Sequence, residues 1–272
     1  MSHTPQPPVK AYKNNEFLNS PDARLIRILS EYLEPAARFK VERIEDTIIF
    51  FGSARILSLA ESQRHLEELR TSSNVTDGAA LAVAERAVQL SSYYEDAMEL
   101  ARLVTEWSAT FKDERKRMMI CSGGGPGIME AANRGAKAAG GQSIGLSIAL
   151  PMEQATNVYV PEELAFEFHY FFMRKFWFVN LAKAAVIFPG GFGTLDEAFE
   201  LMTLVQTKKT GRDVPILFYG EEYWKDVLHI DALARWGMIS PEDVNLIHFC
   251  DTPQQAFELL KHELARTGNL YL

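Results

Sequence analysis

One stretch of the chain decides how it folds: Val186-Ile187-Phe188-Pro189-Gly190-Gly191-Phe192-Gly193-Thr194-Leu195-Asp196-Glu197. The apolar start predicts a buried β-strand, which Pro189 ends because proline has no N–H to give to a sheet. The glycines that follow favour a turn that a ligand can approach closely. The apolar spacing beyond them predicts a helix, with Thr194 as its N-cap. Such a helix start suits a phosphate, because its N–H groups are unpaired and the helix dipole is positive there.

Two carboxylates, Asp196 and Glu197, follow directly in the predicted first turn of this helix. An acid beside a phosphate repels it, so a simple phosphate site gains nothing from Glu197. One interpretation is that Thr194 and the two acids only cap the helix and complement its dipole. The other is a site that binds phosphate and also develops positive charge nearby.

Strand and helix signals alternate along the whole chain, with no hairpin signal between them. Apolar segments predict strands at residues 47–51, 118–121, 142–148, 164–168, 184–188, 214–219 and 246–249. This alternation predicts an α/β fold with a mostly parallel sheet of about seven strands and helices on both faces. We expect residues 1–19 to form a disordered arm and residues 20–272 a single domain, with an N-terminal helix and a helical insertion at about 56–90.

Two more turns follow predicted strands: Gly52-Ser53, and the turn at residues 122–127. Because the carboxyl ends of parallel strands share one edge, both turns should lie near residues 190–194. Arg174 and Lys175 fall in a predicted helix at residues 170–181. An adjacent basic pair is usually a solvated face, but its aromatic residues make this helix too apolar to lie on the surface. A cation held there should instead meet a buried anion.

Composition excludes several classes of function. Hydrophobic residues make up 47% and charged residues 24%, which is typical of a soluble globular protein. No apolar run reaches membrane-spanning length, and the polar start lacks a signal peptide, so we expect a cytoplasmic protein without a membrane partner. The net charge of −8 argues against nucleic-acid binding. Cys121 and Cys250 are predicted to be reduced core residues.

Familiar cofactor and metal motifs do not match. Ile128 and Asp196 occupy the third-glycine positions of a G-x-G-x-x-G pattern, and no Gly-Lys pair offers a P-loop. The chain has no G-x-S-x-G elbow and no metal-ligand spacing of histidines or cysteines. We therefore expect neither a metal nor a cofactor.

The motifs resemble a known family. Residues 189–197 resemble the P-G-G-x-G-T-x-x-E signature of the Lonely Guy (LOG) proteins, and Met173-Arg174-Lys175 falls where that family has its Arg-Lys pair. Gly52-Ser53 and residues 122–129 match the family's first two turns, so the resemblance covers roughly residues 45–220. It implies a Rossmann-like homodimer, or an assembly of dimers, that hydrolyses the N-glycosidic bond of nucleoside 5′-monophosphates to free base and ribose 5-phosphate. Many members of the family have the older label "lysine decarboxylase". Decarboxylation of lysine normally needs a pyridoxal-binding lysine, and the sequence offers no site that argues for one.

The resemblance also implies roles for single residues. Glu197 would lie near C1′ and stabilise an oxocarbenium-like centre or orient the attacking water. Arg174 would contact the ribose or phosphate and help the departing base, while Lys175 would support the phosphate or Glu197. The 5′-phosphate would bind at Gly190, Gly191, Gly193 and Thr194. The other residues expected to bind the nucleotide are Gly52, Ser53, Gly123, Gly124, Gly125, Gly127, Met129, Glu130, Asn133, Met173 and Asp196.

Departures from the family pattern bear on the substrate. Plant-type members read Met-His-Glu where this chain has Phe171-Phe172-Met173, and Asp196 replaces a glutamate. Together with the insertion, they favour a general purine nucleotide, AMP first, over an N6-modified one. The alternative function is non-catalytic binding of a nucleotide or of a molybdenum-cofactor-type phosphate ligand. A carrier needs no catalytic carboxylate, so Arg174 together with Glu197 favours hydrolysis.

Overall fold

A computed structural model describes residues 8–71, 78–149 and 156–270. Its core is one sheet of seven strands, each paired in parallel with its neighbours. The strands are β1 Asp46–Phe51, β2 Met118–Ser122, β3 Ser143–Ile148, β4 Ala165–Phe168, β5 Ala182–Ile187, β6 Ile216–Tyr219 and β7 Ile247–Cys250. The predicted fold class is confirmed, and the sheet is entirely parallel.

Eleven α-helices lie in the described ranges. They are α1 Asn15–Asn19, α2 Arg24–Val41, α3 Leu59–Thr71, α4 Gly78–Leu90, α5 Ser92–Ala109, α6 Ile128–Ala138, α7 Phe171–Leu181, α8 Phe192–Gln206, α9 Glu221–Val227, α10 Ile230–Arg235 and α11 Pro253–Arg266. Short 3₁₀ segments occupy Ala11–Lys13, Pro21–Ala23, Glu114–Lys116, Glu162–Leu164 and Pro241–Leu246. None of the helices that the structure describes is both long enough and apolar enough to cross a membrane.

The strand order β4-β3-β2-β1-β5-β6-β7 places β1 at the centre of the sheet. The chain first builds outward from β1 to β4, and then crosses to the other side of β1 to add β5, β6 and β7. On one side Ile48 lies beside Ile120 of β2, and on the other Phe51 lies beside Ile187 of β5. The seam between β1 and β5 is therefore the topological switch point, where ligands bind in open α/β sheets.

Two helical layers cover the sheet. Ile49 and Phe51 of β1 pack in a core with residues of α2, α7, α8 and α9, whereas Ile48 and Phe50 pack with α5, α6 and α11. Every residue of β1 and β5 is buried, as expected for strands covered on both faces. Cys121 and Cys250 are buried and free of disulfides, as predicted.

The N-terminal helix runs through its proline. Pro35 lies inside α2 and cannot donate the hydrogen bond that would normally reach the carbonyl of Glu31. The indole N–H of Trp177 on α7 donates to that carbonyl instead, at 2.9 Å. A long-range contact thus replaces the missing helical bond, and α2 continues to Val41.

The other predicted segments differ in detail from the structure. The described part of the predicted disordered arm contains a 3₁₀ turn and the short helix α1. The predicted insertion contains α3 and α4, which an ion pair between Arg70 and Glu85 joins at 3.2 Å. The division into one domain and an arm stays a prediction.

Candidate active site

Three turns meet at the carboxyl edge of the sheet. The Ser53 N–H after β1 donates to the Pro189 carbonyl after β5, at 3.0 Å. The Ile128 N–H, at the end of the turn after β2, donates to the Ser53 carbonyl at 3.1 Å. The structure therefore brings together the three turns that the sequence placed after separate strands. We call this meeting point the three-turn junction, formed by residues 52–55, 122–127 and 189–194.

The glycines of the junction have two different functions. A Cβ on Gly52 would lie 2.6 Å from the Ile128 side chain, and one on Gly127, whose φ is +68°, would lie 2.8 Å from Cα of Ala54. These two glycines allow the turns to pack against each other. Gly191 and Gly193 have no neighbouring atom within 4 Å of an added Cβ. These two positions leave open space that a ligand could fill.

Helix α8 begins earlier than predicted. Its N-cap is Gly191, so the prediction of Thr194 as the cap is wrong. Thr194 lies inside the first turn and is buried, with its side chain packed closely against Gly190. The hydroxyl of Tyr223 holds the preceding turn by donating to the Gly190 carbonyl at 2.8 Å. At the start of α8 the residues Gly191, Phe192 and Gly193 are exposed, and Phe192 is 94% exposed.

A buried charge pair joins α7 to α8. Arg174, in the first turn of α7, donates a short hydrogen bond to Glu197 of α8, and both side chains are 12% exposed. The rings of Phe171 and Phe178 lie 5.5 and 5.6 Å from the guanidinium carbon. Burial raises the pKa of Glu197, although Arg174 partly opposes the shift. The Arg174 Nε is buried and has no hydrogen-bond partner among the described residues.

Lys175 meets its anions within the protein. Its ammonium lies 2.8 Å from Asp196 and 2.9 Å from Glu200. Burial disfavours the charged ammonium, but the two carboxylates outweigh that effect and raise the pKa of Lys175. Arg174 and Lys175 thus both face acidic residues of α8. Lys175 is expected from the sequence to support a phosphate or Glu197, but in the structure it binds Asp196 and Glu200.

Asn133 supports the turn after β2 from behind. It is fully buried, accepts from Ser122 Oγ at 2.8 Å and donates to Ser143 Oγ at 2.9 Å. It also accepts from Nδ2 of Asn157, which itself donates to the carbonyls of Gly124 and Gly125 at 3.0 and 3.1 Å. Asn133 therefore shapes the turn and does not face its open side. Sequence reasoning missed Asn157, which lies between β3 and β4 with no glycine or periodic signal.

The other predicted residues around this turn fall in different environments. Met129 packs its sulfur against Gly123. Glu130 accepts a 2.7 Å hydrogen bond from the hydroxyl of the buried Tyr94, and burial raises the pKa of that tyrosine. Met173 lies in the core under α7. Of these three, Met129 and Glu130 lie beside the turn, whereas Met173 is a packing residue.

Glu31 of α2 fixes the start of α7. Its carboxylate accepts the backbone N–H groups of His169 and Tyr170 at 2.8 and 3.2 Å. Tyr170 is the N-cap of α7 and offers no side-chain cap of its own. A carboxylate at this end also complements the helix dipole. No local pattern marks Glu31, because it acts on a segment far along the chain.

The aromatic face of α7 is more exposed than predicted. Phe172 is 55% and Phe176 39% exposed, so the expectation that this helix is too apolar for the surface is wrong for the single chain. The Phe176 ring lies 5.6 Å from that of Tyr32 on α2, and Leu29 and Leu33 of α2 are more than half exposed. We call these five side chains the exposed apolar face.

Comparison with known proteins supports the family resemblance. A family described as "possible lysine decarboxylase" matches residues 129–260, slightly less than half of the chain. A probable cytokinin riboside 5′-monophosphate phosphoribohydrolase of Arabidopsis thaliana is 28% identical over 170 residues, which cover 61% of this chain and 79% of the relative. A probable enzyme of the same name from Oryza sativa subsp. japonica is 27% identical over 130 residues, covering 47% of this chain and 52% of the relative.

Solved structures with a similar arrangement share less sequence. The molybdenum cofactor binding protein of Rippkaea orientalis is 16% identical with a TM-score of 0.48, covering 80% of this chain and 98% of its own. A Moco carrier protein of Chlamydomonas reinhardtii is 18% identical with a TM-score of 0.46, covering 81% and 99%. At this similarity neither structure bears on function. The sequence matches confirm the resemblance to the Lonely Guy family.

Proposed function

We propose that this chain, as a relative of the Lonely Guy proteins, hydrolyses the N-glycosidic bond of nucleoside 5′-monophosphates, AMP first, to free base and ribose 5-phosphate. The observation that supports this most is the buried Arg174–Glu197 pair beside the three-turn junction. The names of the two plant relatives describe the same type of reaction on a cytokinin riboside 5′-monophosphate. An adenine nucleotide is the simpler substrate, because the family's Met-His-Glu segment is replaced here by Phe171-Phe172-Met173.

The pair suits the transition state of this reaction. As the bond from C1′ to the base nitrogen breaks, positive charge develops on the ribosyl ring, and a nearby carboxylate stabilises it. Glu197 provides that carboxylate in a largely water-excluded place, where electrostatic effects are strong. Water adds its hydroxyl to C1′ as the bond to the base nitrogen breaks, and the remaining proton of the water balances the proton that the departing base nitrogen takes up. Arg174 stays charged, so it orients the ribose or base through its unused Nε–H without giving up a proton.

The start of α8 suits the other end of the substrate. The open space at Gly191 and Gly193 and the N–H groups that begin a helix there can accept a 5′-phosphate. Glu197 lies about one and a half helical turns further along α8. The anion-binding groups and the carboxylate therefore address opposite ends of one ribose, which explains an acid so close to a phosphate site.

The test is release of free base and ribose 5-phosphate from a panel of nucleoside monophosphates. We expect Glu197→Gln to lower kcat about 100-fold or more and Arg174→Ala to lower kcat/KM similarly. Glu258→Gln serves as the control, because this exposed carboxylate lies on α11, in the layer that packs against the other face of the sheet. Nucleotide binding without turnover in the parent protein would refute hydrolysis and leave a non-catalytic carrier or sensor.

We further propose a homodimer formed through the exposed apolar face. Its aromatic and leucine side chains make a large apolar surface, which is typical of a protein interface. Phe176→Glu should convert the dimer to a monomer in light scattering after size-exclusion chromatography. A parent protein that is monomeric at micromolar concentration would contradict this proposal. The absence of nucleic-acid and membrane partners, and the cytoplasmic location, stay predictions.

A further inference from the structure

A phosphate at the start of α8 faces an unfavourable local charge. The cluster on α7 and α8 contains two cations, Arg174 and Lys175, and three carboxylates, Asp196, Glu197 and Glu200. Each cation already has a carboxylate partner within the chain. The helix dipole favours an anion only modestly at an exposed site. A phosphate dianion therefore needs a further cation from outside this cluster.

The three-turn junction contains a single basic residue, Arg55. Its side chain is exposed and forms no hydrogen bond or ion pair with any residue in the described parts of the chain. Arg174, by contrast, is buried and paired. Arg55 is thus the one guanidinium of the junction that can bind an incoming anion without first leaving a partner.

The backbone places Arg55 directly at the junction. Its N–H donates to Ser53 Oγ at 3.1 Å, and Ser53 is bonded through its own backbone to Pro189 and Ile128. Ala54 packs against Gly127. Arg55 is therefore the first residue of this turn beyond the packed backbone contacts, and its start point is fixed by the turns on both sides.

We propose that Arg55 binds the 5′-phosphate of the substrate and makes the site select nucleoside monophosphates over nucleosides. This inference rests on the proposed function, since it assigns a residue to the phosphate end of the same substrate. The planar guanidinium can donate two parallel hydrogen bonds to phosphate oxygens, and such charge-assisted pairs are strong. The dipole and N–H groups of α8 would hold the phosphate on one side, with Arg55 on the other.

Ribose 5-phosphate is the best probe, because it has the phosphate but no base and its binding can be measured without turnover. By calorimetry, we expect Arg55→Gln to weaken its binding about 10- to 100-fold, the usual effect of losing a charged hydrogen bond. Arg55→Lys should recover part of the loss, because it restores the charge without the paired donors. Arg235→Gln is the control. Arg235 is also exposed, but it lies on α10, which contacts the 3₁₀ segment just before β7. That segment is at the amino ends of the strands, whereas the junction is at their carboxyl ends.

A second measurement separates phosphate recognition from a general loss of structure. Adenosine has no phosphate, so its affinity should be the same in Arg55→Gln and in the parent protein, whereas that of AMP should fall. Equal affinities for ribose 5-phosphate in Arg55→Gln and Arg235→Gln would overturn the inference while base release by the parent protein still upheld the proposed function. If the parent protein binds ribose 5-phosphate through Arg55 but releases no base, the proposed hydrolysis fails and the phosphate assignment stands. A parent protein that binds neither ribose 5-phosphate nor AMP would refute both.

Discussion

Replacing Asn133 with alanine should destabilise the fold, because this buried side chain holds several hydrogen bonds together. The change removes three hydrogen bonds to other side chains, those of Ser122, Ser143 and Asn157, at 2.8, 2.9 and 2.9 Å, and a longer one to the Ile144 carbonyl at 3.5 Å. Each such bond contributes about 1 kcal/mol net. The Ser143 hydroxyl, buried and without another hydrogen bond in the described structure, adds a desolvation cost of about 1–2 kcal/mol. The free energy of unfolding should therefore fall by about 3–5 kcal/mol, a large part of the usual stability of a domain.

Urea unfolding followed by tryptophan fluorescence measures this change, and the midpoint of thermal unfolding should fall by roughly 10 °C. Asn180→Ala is a suitable control, because this exposed asparagine on α7 makes no side-chain hydrogen bond in the described structure. We expect it to change stability by less than about 0.5 kcal/mol.

The double variant Asn133→Ala/Ser143→Ala provides the stricter test. Since Ser143→Ala removes the hydroxyl that Asn133→Ala leaves unsatisfied, the double variant should be about 1–2 kcal/mol more stable than the sum of the single changes predicts. Strict additivity, or a loss below about 1 kcal/mol in Asn133→Ala alone, would refute the idea that this hydrogen-bond network supports the turn.

Three further predictions concern pH, backbone packing and helix α7. Because burial raises the pKa of Glu197 and the proposed reaction needs its ionised form, kcat/KM should fall on acidification with a midpoint above the ordinary carboxyl value of 4.5; a pH–rate profile with its acidic limb at or below that value would contradict this. Gly127→Ala should reduce the free energy of unfolding by roughly 2–4 kcal/mol, because it adds a positive-φ penalty to a clash with residues 53 and 54. Gly140→Ala is the control: this glycine also has a positive φ, +75°, but open space around it, so the free energy of unfolding should fall by only about 1–2 kcal/mol. Equal losses of the two variants in urea unfolding would argue against the packing role of Gly127. Glu31→Ala should cost about 1–2 kcal/mol in the same assay, because the start of α7 loses both acceptors, and an unchanged unfolding midpoint would show that α7 is fixed by other contacts.

The fold could be predicted because its signals are local. Most of β1 is a run of β-branched and aromatic residues, β5 ends with the apolar Val186 and Ile187, and a turn follows directly after each strand. The start of α11 has a local signal too, since Thr252 precedes Pro253 and its side chain accepts a hydrogen bond from the Gln255 N–H. Parallel pairing then brought the three turns to one edge without further information.

The interior of the candidate site could not be predicted in the same way, because its contacts join distant parts of the chain. Asn157 and Glu31 act on segments that no sequence pattern links to them. The partners of Lys175 depend on how α7 lies against α8. The early start of α8 had no side-chain signal, because its N-cap is a glycine, while the more typical capping residue, Thr194, is used for packing.

The central position of β1 has a consequence for synthesis of the protein on the ribosome. Phe51 and Ile187 lie side by side in the sheet, yet Ile187 comes 136 positions after Phe51 in the chain (187 minus 51). At elongation rates of about 5–20 residues per second, β1 waits roughly 7–27 s for β5 after it has been made. During this interval β2, β3 and β4 can pair, but one apolar edge of the central strand has no neighbour, and open edges of this kind invite aggregation. The nascent chain is therefore most vulnerable at the seam on which the candidate site is later completed.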